Sequence, residues 1–311
     1  DNFYILGEDA IKLRNLLTIK SSDKDGAKIV VTEVGDLRRP MKDGVLNTGE
    51  EKLSIAIIQK IIANLVGPPS FPNEVLTFCA PGDPVDKSLS VIFHKSILMN
   101  FLKSLGYHVE CVPEALAIIF SERPVAIDPV EGEMPFSGIS FSFGAGLVNC
   151  VFALKKMPLI SFSVSQSGDY VDREAAKVAG DIDIPVVTRF KETKLNLSKI
   201  DANDMKQVAL EFFYQEMIKH ALTNFADKFS RLESQIDFPL EIVVAGGTAS
   251  IPGFLDEFNK VLSELILPFK VKSVRLASNP LFTVCNGLLV KALATESRLQ
   301  KAGDQLLEKV E

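Results

Sequence analysis

Short apolar runs alternate with longer stretches of helical spacing along most of the 311 residues. Ile29 to Val34 is rich in β-branched residues and predicts a strand. A turn through Arg38 to Leu46 leads into a helix expected from Glu50 to Val66, stopped by Gly67-Pro68-Pro69. Val75 to Ala80 is almost wholly apolar, the pattern of a strand covered on both faces. Pro81-Gly82-Asp83-Pro84 breaks it. Lys87 to Leu105 then predicts a long helix closed by Gly106, Tyr107 to Val112 a strand, and Glu114 to Phe120 a further helix. This alternation implies a parallel sheet with helices packed on it, an α/β architecture.

Arg123 to Ser137, with three prolines, reads as a loop crossing into a second domain. Gly138 to Leu154 and Leu159 to Ser165 read as paired strands around a turn at Lys155 to Pro158. Ser167 to Asp172 opens a helix. Val186 to Lys194 and Asp201 to Arg231 are expected helical, Leu240 to Ala245 a strand, Ile251 to Leu265 a helix, Val271 to Leu276 a strand, and Pro280 to Glu311 mostly helix. Two α/β halves result, meeting near residue 137.

Composition narrows the function classes. The chain is 47% hydrophobic and 24% charged, which suits a globular protein large enough for two domains. A net charge of −6 speaks against bulk attraction to nucleic acid, and no nucleic-acid partner is expected. The four cysteines (Cys79, Cys111, Cys150 and Cys285) are far apart and lie in apolar runs, so they read as buried free thiols in a reducing compartment. No metal-ligating spacing, secretory signal or membrane-spanning run is present, and a cytoplasmic location is expected.

The chemistry concentrates in two glycine-bearing segments. Val243-Val244-Ala245-Gly246-Gly247-Thr248-Ala249-Ser250-Ile251-Pro252-Gly253-Phe254 reads as a buried strand, a Gly-Gly turn, a hydroxyl residue, and a helix with proline in its first turn. Glycines there allow a ligand close to the backbone, and the opening amides of a helix face the same space. Such turns are also common connections in α/β proteins. In Ile139-Ser140-Phe141-Ser142-Phe143-Gly144-Ala145-Gly146-Leu147-Val148-Asn149-Cys150, Gly144 and Gly146 permit a tight turn whose amides can point at phosphate oxygens. In isolation it is an ordinary hairpin.

Together and in order, these strings resemble the actin, heat-shock chaperone and sugar-kinase superfamily. Leu37-Arg38-Arg39-Pro40-Met41-Lys42-Asp43-Gly44-Val45-Leu46 and Gly7-Glu8-Asp9-Ala10 are similar to segments of bacterial rod-shape actins (MreB). Ser167-Gly168-Asp169-Tyr170-Val171-Asp172 resembles the start of their outer subdomain. The resemblance runs from Gly7 to about Ala292. It implies an actin-like fold of two similar domains, 1–137 completed by 278–311 and 138–277, around a cleft holding ATP or ADP with magnesium. Gly246, Gly247, Thr248 and Ile251 fall at the adenosine end, together with Lys191 and Glu192 of Thr188-Arg189-Phe190-Lys191-Glu192. Ser142, Gly144, Ala145 and Gly146 fall on the second phosphate loop, and Glu114 on the position that orients the attacking water.

Two departures matter. Ser142 stands where the family's Asp-x-Gly-x-Gly-x-Thr has aspartate, and Val148 where it usually has a hydroxyl residue. The aspartate normally holds hydrated magnesium, so the resemblance implies slow or impaired hydrolysis. The first phosphate loop, Asp-x-Gly-Thr/Ser, is not supplied by this sequence; it is expected upstream of Asp1, the alternative being a protein that lacks it. The reading is then an ATP-binding bacterial-type cytoskeletal protein that self-associates into filaments. The alternatives are a non-polymerising ATPase and a degenerate non-hydrolysing scaffold of the same fold. A membrane or scaffold partner at the inner face of the membrane is a further expectation, although the near-neutral Glu296 to Glu311 stretch fits a solvated tail or partner-binding helix better.

Overall fold

The computed structural model describes residues 38–122, 126–128, 132–233 and 236–307, with Ile5, Asp9 and Ala10; for 126–128, 132–134 and 303–307 it describes the backbone alone. The strand expected over Ile29 to Val34, and Gly7, Glu8 and residues 308–311, lie outside the described residues.

From residue 38 onward the first half begins with a hairpin of β1 (Met41–Lys42) and β2 (Val45–Leu46). Its tip, Asp43 and Gly44, takes left-handed backbone angles (φ 50° and 75°). Helix α1 (Ser54–Val66) begins later than its apolar spacing predicts, because turns occupy residues 48–50 and 52–53. β3 (Val75–Ala80) and β4 (His108–Pro113) pair in parallel, joined through α2 (Ile92–Ser104). The first residues of the expected Lys87 to Leu105 helix are non-helical, and the chain before them runs along the other half. Pro113 ends β4 and directly precedes α3 (Glu114–Ser121), so Glu114 sits where strand becomes helix. The crossing segment expected as a plain loop holds a short antiparallel pair, β5 (Ala126–Asp128) and β6 (Gly132–Met134). Strands of three residues are too short for a period to register in the sequence.

The second half is built on a five-stranded sheet in the order β11-β10-β7-β8-β9. Its members are β7 (Gly138–Phe143), β8 (Val148–Leu154), β9 (Met157–Val164), β10 (Leu240–Ala245) and β11 (Val271–Leu276). β7, β10 and β11 run parallel, whereas β8 and β9 are antiparallel to their neighbours. The helices are α4 (Gly168–Val178), α5 (Ile184–Thr193), α6 (Met205–Ser230), α7 (Phe254–Ser263) and α8 (Thr283–Leu307).

Side-chain alternation along β7 divides the molecule. Ile139, Phe141 and Phe143 enter a core shared with α6 and α7, where Phe141 meets Phe225 at 5.4 Å between ring centroids and Phe143 meets Phe254 at 5.1 Å. Burying each such ring contributes roughly 1.5–3 kcal/mol, and the edge-on contacts add to it. Ser140 and Ser142 turn to the opposite face, which α3 covers, and Ser140 Oγ donates to the Ala115 carbonyl at 2.7 Å. Helix α8 crosses α3 so closely that a Cβ on Gly287 would lie 1.7 Å from the Ala117 carbonyl oxygen. Of the cysteines, only Cys150 is fully buried; Cys285 is exposed, on a side of α8 that also leaves Phe282 and Leu289 open to solvent. Among the described residues no helix is long and apolar enough to cross a membrane.

Candidate functional site

The carboxyl ends of β7 and β10 lie side by side, Ala245 opposite Ser142, so the two glycine segments that succeed them are neighbours. The turn after β7 closes when Gly144 N–H donates to the Leu147 carbonyl at 3.1 Å. Its own carbonyls are held from behind. Gly168 N–H (3.0 Å) and Thr248 Oγ1 (3.0 Å) donate to the Gly144 carbonyl, while Asp169 N–H (2.8 Å) and Ser167 Oγ (2.5 Å) donate to that of Ala145. The first amides of α4 are thus spent on fixing the turn. Among the described residues no carbonyl takes the amides of Ala145 and Gly146. That leaves a pair of consecutive donors able to meet an anion.

The same turn meets the first half. A Cβ on Gly146 would lie 2.2 Å from Gly44 N, and one on Gly44 would lie 3.0 Å from Leu147 Cδ1. The two hairpin tips therefore touch at glycine. Ser142 Oγ donates to Glu114 Oε1 at 2.6 Å, across the boundary between β7 and the start of α3. Burial pushes the Glu114 carboxyl above its ordinary range, and the Ser142 hydrogen bond opposes that only in part.

The adjacent glycines 246 and 247 have different tasks. Gly246 adopts φ 102° and ψ 157°, a region essentially reserved for glycine, and a Cβ there would lie 2.3 Å from the Phe143 carbonyl oxygen. Its amide donates to the Pro280 carbonyl at 3.0 Å. Gly247 has no positive φ, and a Cβ there would meet nothing within 4 Å. The open position is Gly247.

The helix expected from Ile251 forms but starts three residues later, which leaves Pro252 outside its first turn. Gly247–Ser250 is a 3-10 turn, and α7 starts only at Phe254 because Gly253 takes the left-handed conformation (φ 85°) that a right-handed helix cannot hold. The Thr248 side chain is buried and committed to the turn carbonyl, and its own carbonyl accepts from Tyr214 Oη at 3.3 Å. Ile251 packs into the apolar core, so any contact it makes with a ligand runs through its backbone.

Lys191 pairs with Asp172 at 2.8 Å, with both side chains under a tenth exposed. Its Nζ also donates to the Gly168 carbonyl at 3.3 Å, and Thr188 Oγ1 donates to Asp172 Oδ2 at 2.7 Å. Lys191 thus braces the start of α4 behind the turn, whereas Glu192 is exposed. Contacts therefore join Glu114, Ser142, Gly144, Ala145, Gly146, Gly246 and Thr248, with Lys191 reached through Gly168.

One row of buried polar residues that starts at Ser142 has no local signal in the sequence. Ser142, Asn149 and Ser163 stand opposite one another on β7, β8 and β9, all buried. Only the register of three strands brings them into a row.

The chain matches the Volactin family over residues 1–292. No curated protein matches it by sequence. Among solved structures it is similar to MreB5 of Spiroplasma citri bound to AMPPNP, at 14% identity and a TM-score of 0.62, covering 88% of this chain and 84% of that one. It is also similar to the MamK filament, at 19% identity and a TM-score of 0.58, covering 93% of this chain and 84% of that one. The ethanolamine utilization protein EutJ of Carboxydothermus hydrogenoformans shares 15% identity at a TM-score of 0.50, covering 82% of this chain and 79% of that one. The fold is the actin-like fold, in agreement with the resemblance in the sequence.

Proposed function

We propose that this chain, which belongs to the Volactin family, is an adenine-nucleotide-binding cytoskeletal protein that assembles into filaments and hydrolyses ATP slowly. The observation that carries the reading is the open space at Gly247 beside a turn with two amides that no carbonyl of the described residues takes. A nucleotide suits that arrangement: glycine backbone admits a flat base or ribose, and consecutive amides meet phosphate oxygens. In this reading residues 1–137 and 278–311 form one domain and 138–277 the other, and the close packing of α8 on α3 supports it.

The residues fit magnesium less well. A hard divalent cation favours carboxylate oxygens, and position 142 offers a hydroxyl that already donates to Glu114. Glu114 itself is biased toward its protonated form by burial. No step of the proposed chemistry runs through the metal. Glu114 is the residue suited to orient a water, and its hydrogen bond to Ser142 fixes the carboxyl group's direction. Losing one positioned charge in a phosphoryl-transfer site costs on the order of a hundredfold in rate. ATP binding, rather than hydrolysis, then sets the assembly state.

The test is sedimentation of the full natural protein with and without ATP, run beside phosphate release. ATP-dependent pelleting with slow phosphate release is the expected result. Rapid release without pelleting would support a non-polymerising ATPase, and failure to bind ATP would support a scaffold that kept only the fold.

A further inference from the structure

The chain between β3 and α2 does not stay with the first half. Val85 N–H donates to the Ser163 carbonyl at 3.0 Å and Ser163 N–H to the Asp83 carbonyl at 3.1 Å, which makes a parallel bridge at Pro84 on the outer edge of β9. Gly82 N–H donates to Asn149 Oδ1 at 2.9 Å, and Ser163 Oγ donates to the Gly82 carbonyl at 2.7 Å. Asn149 and Ser163 are almost fully buried, at 3% and 0% exposure, and belong to the row that begins with Ser142. A Cβ on Gly82 would lie 2.7 Å from the Phe162 backbone, so the contact is at backbone range. Beyond the bridge, Asp86 accepts from Ser165 N–H at 2.9 Å and lies 2.7 Å from His220 Nε2 on α6.

We propose that residues 81–86 act as an interdomain clasp, a short extra strand by which the first half is latched to the free edge of the second half's sheet. Three observations meet here. An edge strand with unpaired backbone groups is covered, polar side chains buried in the sheet have their partners in the other half, and a carboxylate at the end of the segment is anchored twice. Burial would raise the Asp86 carboxyl, but Ser165 and His220 bring it below the usual range, so it is held as an anion. Lys87, next in the chain, pairs with Asp43 at 2.7 Å, which links the clasp to the hairpin tip that touches Gly146. The two halves therefore meet along one continuous line: Ser142 to Glu114, Gly146 to Gly44, and the clasp at the outer edge. Separating the halves requires the clasp to lift from β9. This inference does not rest on nucleotide binding.

Residue-resolved amide hydrogen exchange on the full natural protein, without nucleotide, tests it. In the wild type the amides of Gly82, Val85 and Ser163 should be protected well beyond that of exposed Gly49. Asn149→Ala removes the acceptor for Gly82 and should speed exchange at all three positions about five- to thirtyfold, the consequence of one buried hydrogen bond lost. Amides of β10 such as Val243 should not change. His220→Ala, at the less buried end, gives a second reading and should speed Ser165 and Val85 with the core intact. Unprotected Val85 and Ser163 amides in the wild type would overturn the clasp. So would an Asn149→Ala variant that folds with their protection unaltered.

Discussion

Gly246 and Gly247 are adjacent and chemically identical, yet the structure predicts opposite consequences for replacing them. Gly246→Ala forces a side chain into backbone angles that cost about 1–3 kcal/mol. Its Cβ would also sit 2.3 Å from the Phe143 carbonyl, a backbone atom fixed in the sheet. Overpacking of that kind adds roughly another 1–3 kcal/mol. At about 1.5 °C per kcal/mol for a chain of 311 residues, Tm should fall by about 3 °C or more. Gly247→Val meets nothing within 4 Å of its Cβ, so the stability change should stay within about 0.5 kcal/mol. The same valine fills the space proposed for adenosine and should weaken ATP binding at least about tenfold, or 1.4 kcal/mol. Thermal unfolding by circular dichroism and calorimetric ATP titration, on the same preparations, measure both effects. If Gly247→Val binds ATP as well as the wild type, the ligand site is elsewhere. If it unfolds as early as Gly246→Ala, the space beside Gly247 is not open in solution.

Other expectations concern charge. Because burial raises the folded-state pKa of Glu114, the folded chain holds that proton more tightly than the unfolded chain, and stability declines as pH rises from about 4.3 through the folded value. Glu114→Gln should flatten that decline and raise Tm at neutral pH; an unchanged pH dependence would contradict the burial argument. Ser142→Asp places a second carboxylate against Glu114, where Ser142 Oγ now lies 2.6 Å away. It should lower Tm in chelator, recover with magnesium, and restore magnesium-dependent phosphate release; a magnesium-independent Tm would argue against that geometry. Lys191→Met strands Asp172 as a buried charge and should cost about 3–5 kcal/mol, with much of it regained in Lys191→Met/Asp172→Leu, as chemical denaturation would report.

Much of the fold is written locally, and much of the site is not. The apolar runs over Val75–Ala80 and Leu240–Ala245 are strands with the bounds their composition suggests. Helix starts are harder to read. Apolar residues keep helical spacing before α1 and α2, but turns precede α1, and bends that follow the interdomain bridge at Pro84 precede α2. The glycines at 144, 146, 246 and 247 are legible because few other residues fit such turns, although their division of labour is not. Its backbone angles together with the Phe143 carbonyl, supplied by another strand, make Gly246 structural, whereas Gly247 is left open. Lys191 illustrates the reverse. Its helical neighbours suggest a solvent-facing cation, and only the packing of α5 against α4 buries it beside Asp172. The Ser142, Asn149 and Ser163 row depends on register among strands and has no spacing signature at all.

A structure of the full natural protein with a non-hydrolysable ATP analogue at saturating concentration would decide the matter of the nucleotide site. We expect the adenosine against Gly247 and the phosphates within hydrogen-bond reach of the Ala145 and Gly146 amides, with Glu114 facing the terminal phosphate. Density for the analogue away from both glycine segments, or none at saturation, would contradict a nucleotide site between them.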